Sequence, residues 1–214
     1  MQKLSKALAR FLGYKLQADQ DQIEIFAYSL EVLLGTVFEI CLIIFLAFLL
    51  NIPGTTSICL LVFSSMRFLG GGVHCNTYFK CLVTGSLLLL SLGKLATLPL
   101  SQSVLSSIWL LALLLGIYAV SQWIPAGTAK KVIRDEAVRL RQKRKFSFLL
   151  GIWLVVAGLL IHYQLGNYAL AVVLGILSSL FFVSPMGYQT INNLDNFIDK
   201  FLIVILGKEV KTDV

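Results

Sequence analysis

Ile40-Cys41-Leu42-Ile43-Ile44-Phe45-Leu46-Ala47-Phe48-Leu49-Leu50 closes an apolar run that begins at Leu30. A run of that length matches the roughly 20 residues that carry a helix across the hydrocarbon core of a bilayer. Five more runs follow, at about residues 53–68, 82–100, 104–124, 148–163 and 168–185. Turn-forming joints separate them, among them Asn51-Ile52-Pro53-Gly54 and Gln164-Leu165-Gly166-Asn167. Only 14% of the 214 residues are charged, against about 25% in soluble domains. Water therefore cannot wet most of this surface, and the mean hydropathy of +0.85 agrees. The fold class is all-α: a polytopic membrane protein of about six transmembrane helices, one integral-membrane domain over 1–214. The second run is short and polar, with Thr55, Thr56, Ser57, Ser64, Ser65 and Arg67. It reads as a tilted, partly re-entrant or bilayer-thinning span.

The start of the chain lacks an apolar signal core and a small-residue cleavage site, so it is not read as a cleaved signal. Leu4, Leu8, Phe11 and Leu12 recur at helical spacing among Lys3, Lys6 and Arg10. Residues 1–28 therefore read as an interfacial segment with an amphipathic helix on an anionic leaflet. An ordinary solvated helix packed on its neighbours fits equally.

The net charge of +7 lies at the joints, which makes it a topology signal rather than a nucleic-acid surface. Basic residues crowd the N-terminal segment, the joint at Arg67 and Lys80, a loop at 125–147 and the tail at 187–214. The alternate joints near 51–54, 99–103 and 162–167 hold no lysine or arginine. Six crossings put every basic joint on one side. By the positive-inside rule, both termini and the 66–81 joint are predicted cytoplasmic.

That joint reads Arg67-Phe68-Leu69-Gly70-Gly71-Gly72-Val73-His74-Cys75-Asn76-Thr77-Tyr78-Phe79-Lys80-Cys81. An imidazole can take a proton from a thiol and return it to a leaving amine, the minimum kit for cysteine catalysis. On one unbroken helix, His74 and Cys81 would share a face with Cα atoms about 10 Å apart. The chain must bend between them, or the histidine must come from the loop before the cysteine's helix. The glycines break helix propagation, and Asn76 or Thr77 can cap a helix carrying Cys81 in its second turn. A bland reading stays open, with an interfacial histidine, a packing cysteine and a glycine turn. A metal reading of His74, Cys75 and Cys81 lacks a fourth ligand and CxxC pairs, so neither metal nor cofactor is expected. Cys41 and Cys59, inside apolar runs, read as packing residues. Glu31 and Glu39 in the first span raise a proton or substrate path as a question only.

The order of these features is similar to the AgrB family, membrane endopeptidases that process precursors of autoinducing peptides in Gram-positive bacteria. The family pattern of an Arg, a Gly-Gly-x-His and a Cys seven residues on is matched by Arg67, Gly71, Gly72, His74 and Cys81. The resemblance extends to the amphipathic start and the step at Pro125 to Lys131 into the basic loop. It implies that Cys81 is the nucleophile and His74 the base and acid, with Gly71 and Gly72 structural. Cleavage of an AgrD-like pro-peptide would pass through a thioester, and an internal nucleophile would close a thiolactone or lactone. Arg67, Lys130 and Lys131 are candidates to bind the substrate or an oxyanion. Cys75 departs from the pattern, since many relatives carry a small residue there, and it leaves two thiols competing for one role. Implied partners are the precursor peptide and membrane lipids, with a homodimer as candidate assembly. A peptide exporter or a scaffold for a sensor are the rival readings, and neither needs Cys81.

Overall fold

The computed structural model describes residues 2–126 and 135–206. Among these residues eight helices follow one another: α1 (Gln2–Leu16), α2 (Gln20–Leu49), α3 (Pro53–Gly70), α4 (Tyr78–Leu95), α5 (Gln102–Gln122), α6 (Glu136–His162), α7 (Gly166–Val183) and α8 (Pro185–Leu206). Among the described residues no strand forms beyond one isolated bridge, Gly71 to Ala126. The chain divides into two compact units, Met1–Leu46 and Ala47–Val214.

In the first unit, α1 leaves Leu4, Leu8, Phe11 and Leu12 exposed. This apolar stripe suits an interfacial helix. Asp19 and Gln22 close a capping box at the start of α2: Asp19 Oδ1 accepts the Gln22 N–H at 2.8 Å, and Gln22 Oε1 accepts the Asp19 N–H at 3.2 Å. Gly13 admits the Ile23 side chain where a Cβ would stand.

In the second unit, α7 is the central helix, packed by α3, α4, α5, α6 and α8. It can take that place because its sequence is apolar all round and rich in small residues, including Ala169, Ala171, Gly175 and Ser179, all buried. Lipid offers no hydrophobic drive between helices, so close backbone approach at small residues and interhelical hydrogen bonds do the joining. A Cβ on Gly175 would lie 2.8 Å from Val62 Cβ, and the Cys59 thiol donates to the Ala171 carbonyl at 3.3 Å. Thr55 Oγ1 donates to Gly93 O at 2.8 Å, Trp109 Nε1 to Leu154 O at 2.9 Å and Trp153 Nε1 to Ser65 Oγ at 3.0 Å.

Among the described residues, five helices are long and apolar enough to cross a membrane: α2, α4, α5, α6 and α7. The expected second span, α3, falls short of that apolarity for a visible reason. Its Thr55, Thr56 and Ser65 turn onto neighbouring helices, the first two buried and the third half-buried. At 18 residues it rises about 27 Å. It runs from Gly93 at one end of the bundle to Ala126 and Phe146 at the other.

Two further expectations change. The basic segment read as a loop over 125–147 is helical from Glu136, because Asp135 caps α6 through its side chain onto Ala137 N–H at 2.9 Å. Lys143 reaches the end of α5 at Ser121 O, 3.3 Å away. The segment read as a tail from 187 belongs to α8 as far as Leu206. Residues 71–77, 123–126, 135–146 and 182–188 thus gather at one end of this unit. A cavity of about 410 Å³ between Asn51, Thr97, Gln164 and Tyr168 marks the other. The described parts of the basic joints at 66–81 and 135–147 share the first of these ends.

Gly175→Leu is expected to lower thermal stability in detergent, since overpacking costs about 1–3 kcal/mol. Gly151→Ala, where an added Cβ meets no heavy atom within 4 Å, is expected to hold or raise the melting temperature, alanine being favoured by up to about 1 kcal/mol in a helix. Differential scanning fluorimetry of the two variants checks the pair.

Candidate active site

The site begins where α3 stops. Gly71 and Gly72 take φ of 75° and 115°, backbone that side chains rarely adopt. Space demands glycine as well. A Cβ on Gly71 would lie 2.5 Å from Ala126 O, and one on Gly72 would collide with the Arg67 guanidinium and lie 2.7 Å from Phe182 O. The extended segment that follows is held by Ala126 N–H on Gly70 O at 3.0 Å and by Val73 N–H on Phe182 O at 3.1 Å. The ends of α5 and α7 therefore fix the direction in which the chain leaves α3.

That direction delivers His74 to Cys81. Thr77 caps α4, its side chain accepting the Lys80 N–H at 3.4 Å, and the Cys81 N–H bonds Thr77 O at 3.1 Å. Since α4 starts at Tyr78, Cys81 closes its first turn rather than sitting in the second. This places it in the positive field of the helix N-terminus. The Cys81 Sγ lies 4.0 Å from His74 Nδ1. That is the outer edge of hydrogen bonding to sulfur, and catalytic contacts commonly tighten only when substrate binds.

Arg67, on the last turn of α3, reaches the same point. Its Nη2 lies 3.1 Å from His74 Nε2 and 3.3 Å from Nδ1, and it donates to the Val73 carbonyl. Contact with both ring nitrogens sets the guanidinium against the imidazole rather than on one lone pair. Phe63 and Phe182, edge to face at 5.7 Å, support the guanidinium at 5.8 and 5.4 Å. Nη1 is buried with no hydrogen-bond partner among the described residues.

The second thiol is not equivalent to the first. Cys75 hydrogen-bonds Cys81, and this contact, burial and the nearby charges of Cys81 and Asp195 hold its thiol far above the ordinary range, with a smaller opposing contribution from Thr84. Cys75 therefore stays protonated at neutral pH and donates to Cys81. All four cysteines are free. No cluster of three metal-ligating side chains occurs among the described residues.

Residues that the sequence reading did not single out complete the surroundings. Lys80, 5% exposed, pairs with Asp199 Oδ1 at 2.7 Å and Asp195 Oδ1 at 3.6 Å, both on α8. Asp195 Oδ2 accepts the Asn76 N–H at 3.0 Å. Tyr188, also on α8, stands within the field of Arg67, and burial pushes its hydroxyl above the usual range against that cation. One signal was available: a lysine at the head of an apolar helix needs a counter-charge, and Asp195 and Asp199 share a helix face at i,i+4 spacing. Asn76 gives its backbone to Asp195, and Thr77 does the capping. Lys130 and Lys131 lie outside the described residues.

Residues 5–184 match the family Accessory gene regulator B. An AgrB-like protein of Clostridium perfringens (strain SM101 / Type A) is 23% identical over 213 residues, covering 94% of this chain and all of the relative. A second AgrB-like protein, from strain 13 / Type A of the same species, is 22% identical with the same coverage. No solved structure gives a significant match. With a match across most of its length and its Arg67, Gly71, Gly72, His74 and Cys81 gathered at one joint, this chain belongs to the AgrB family.

Proposed function

We propose that this protein is a membrane cysteine endopeptidase that cleaves a quorum-sensing pro-peptide and supports its cyclisation. The observation that carries the reading is the 4.0 Å approach of Cys81 Sγ to His74 Nδ1 across a broken helix. The Cys81 sulfur attacks a peptide carbonyl carbon as its proton passes to His74. The C–N bond then breaks, and His74 returns the proton to the departing amine, leaving a thioester on Cys81. An internal Cys thiol or Ser hydroxyl of the bound peptide attacks that thioester carbonyl. It closes a thiolactone or lactone ring, and its proton returns through His74 to Cys81. Thioester exchange for a thiolactone conserves bond type, so this chemistry needs no ATP.

The joint also suits the handling of an amphipathic peptide. Phe68 and Phe79 are strongly exposed beside it, offering apolar contact at the lipid boundary. Arg67 holds the imidazole and carries a buried N–H pair suited to a developing oxyanion or a substrate carboxylate. Lys130 and Lys131 supply charge for an acidic part of the precursor. The positive-inside rule assigns this end of the bundle to the cytoplasm, in a cell membrane of a Gram-positive bacterium, with a homodimer as the candidate assembly.

Co-expression with the cognate precursor is expected to show cleavage falling by about 100-fold or more in Cys81→Ala and His74→Ala, the range for losing a nucleophile or its base. Cys75→Ser is expected to keep cleavage within about tenfold, because the hydroxyl still donates to Cys81. Cleavage that survives Cys81→Ala would favour an exporter or scaffold instead. Iodoacetamide at pH 7 should modify Cys81 well ahead of Cys75, whose raised thiol becomes reactive only as the medium turns strongly alkaline; site-resolved mass spectrometry reads the order. Gly72→Ala should abolish cleavage while the protein stays monodisperse in detergent, since a methyl there displaces Arg67 or the α7 carbonyl.

A further inference from the structure

We propose that Asp195 is a positioning residue of the active site, its buried carboxylate tying the segment that carries His74 to the helix turn that carries Cys81. The proposal rests on the cysteine-protease reading and adds a residue that lies beyond 5–184, the part of the chain that the family matches.

Asp195 sits on α8 with 1% of its side chain exposed. One carboxylate oxygen accepts the N–H of Asn76, two residues after His74. The other faces Lys80, immediately before Cys81, and the Asp195 carbonyl oxygen takes a further bond from Lys80 Nζ at 3.4 Å. A single side chain thus grips both arms of the catalytic pair without touching either reacting group. The grip is needed because the arms are short of other restraints. From 74 to 77 the chain is non-helical, and His74 is exposed. Arg67 and the Val73–Phe182 bond hold it on one side, and the contact of Cys75 with Cys81 and the Thr77 cap hold it on the other. Asn76 lies between them, and its N–H would otherwise lose its protein partner.

Charge and geometry have separable parts in this arrangement. Asp199, 24% exposed and 2.7 Å from Lys80, can neutralise the ammonium alone. What Asp195 alone supplies is an acceptor of fixed length under the Asn76 N–H. A buried carboxylate is a costly way to join two helices, since apolar packing does so as well or better. Its use here matches a requirement for register rather than for adhesion.

The test uses the full chain in detergent micelles and reads the iodoacetamide alkylation rate of Cys81 at pH 7 by site-resolved mass spectrometry. Asp195→Ala is expected to slow alkylation about tenfold, because the thiol loses its aligned imidazole. Asp195→Asn, which keeps an acceptor for Asn76, is expected to stay within about twofold of wild type, and Asp199→Ala likewise. Asp195→Glu keeps the charge that docks α8 but misplaces the acceptor. It is expected to slow alkylation as alanine does, which keeps the question open to measurement should the alanine variant fail to fold. Wild-type rates in Asp195→Ala or Asp195→Glu, or an asparagine variant as slow as alanine, overturn the proposal. Alkylation needs no precursor, so this outcome is independent of whether cleavage survives Cys81→Ala, the result that would remove the protease reading itself.

Discussion

An α-helix carried unbroken through residues 67–84 would hold His74 and Cys81 on one face with about 10 Å between Cα atoms, beyond any proton transfer. The chemistry proposed for this protein depends on interrupting that helix between Gly70 and Tyr78. The interruption is not simply flexible chain. Two positive-φ glycines set its direction, and the places where their side chains would stand are taken by Ala126 O, Phe182 O and the Arg67 guanidinium. The ends of α5 and α7 thus become part of the site, though neither supplies a reacting group. Central placement of α7 matters for the same reason: a helix packed by five neighbours gives Phe182 O a fixed position against which Val73 can register.

A second constraint is electrostatic. Lys80 is buried at the head of α4 and meets two carboxylates of α8, so the cluster carries one net negative charge when all three ionise. Losing Lys80 would leave two carboxylates with no counter-charge, a strongly unfavourable state in a buried site, whereas losing one carboxylate leaves a neutral pair. That penalty gives α8 a specific seat on the joint, where apolar contact alone would let it slide. The N-terminus of α4 points its positive end at the same region, so the backbone also favours negative charge there.

The membrane class was legible because hydropathy and span length are properties of the chain alone. Alternation of basic and uncharged joints was legible too, and in the second unit those joints do gather at opposite ends of the bundle. The second run reads as marginal because of its threonines and serines; Thr55 and Ser65 bond to neighbouring helices and Thr56 is buried against one, a fact of tertiary packing. The geometry of the candidate site was half legible. Arg67, His74 and Cys81 could be picked out because they lie within fifteen residues of one another. Asp195 and Asp199 stand more than a hundred residues further on, and only the folded chain brings them to Lys80. The start of the basic α6 was missed for a local reason: Asp135 caps it ahead of a run that charge alone marks as loop.

The adjacent thiol bears on how an acyl intermediate on Cys81 would fare under the proposed activity. While Cys81 carries negative charge, the Cys75 thiol is its hydrogen-bond donor, and that contact is the largest reason Cys75 keeps its proton. Acylation removes the charge and with it that restraint, so Cys75 would become a rival acceptor for the acyl group unless something else held it protonated. Burial does so, being the second contribution to the same shift and independent of the state of Cys81. A protonated thiol is a poor nucleophile. Under the proposed activity the thioester is then left to the nucleophile of the bound peptide, and the half-buried Cys75 is compatible with ring closure because it keeps its proton.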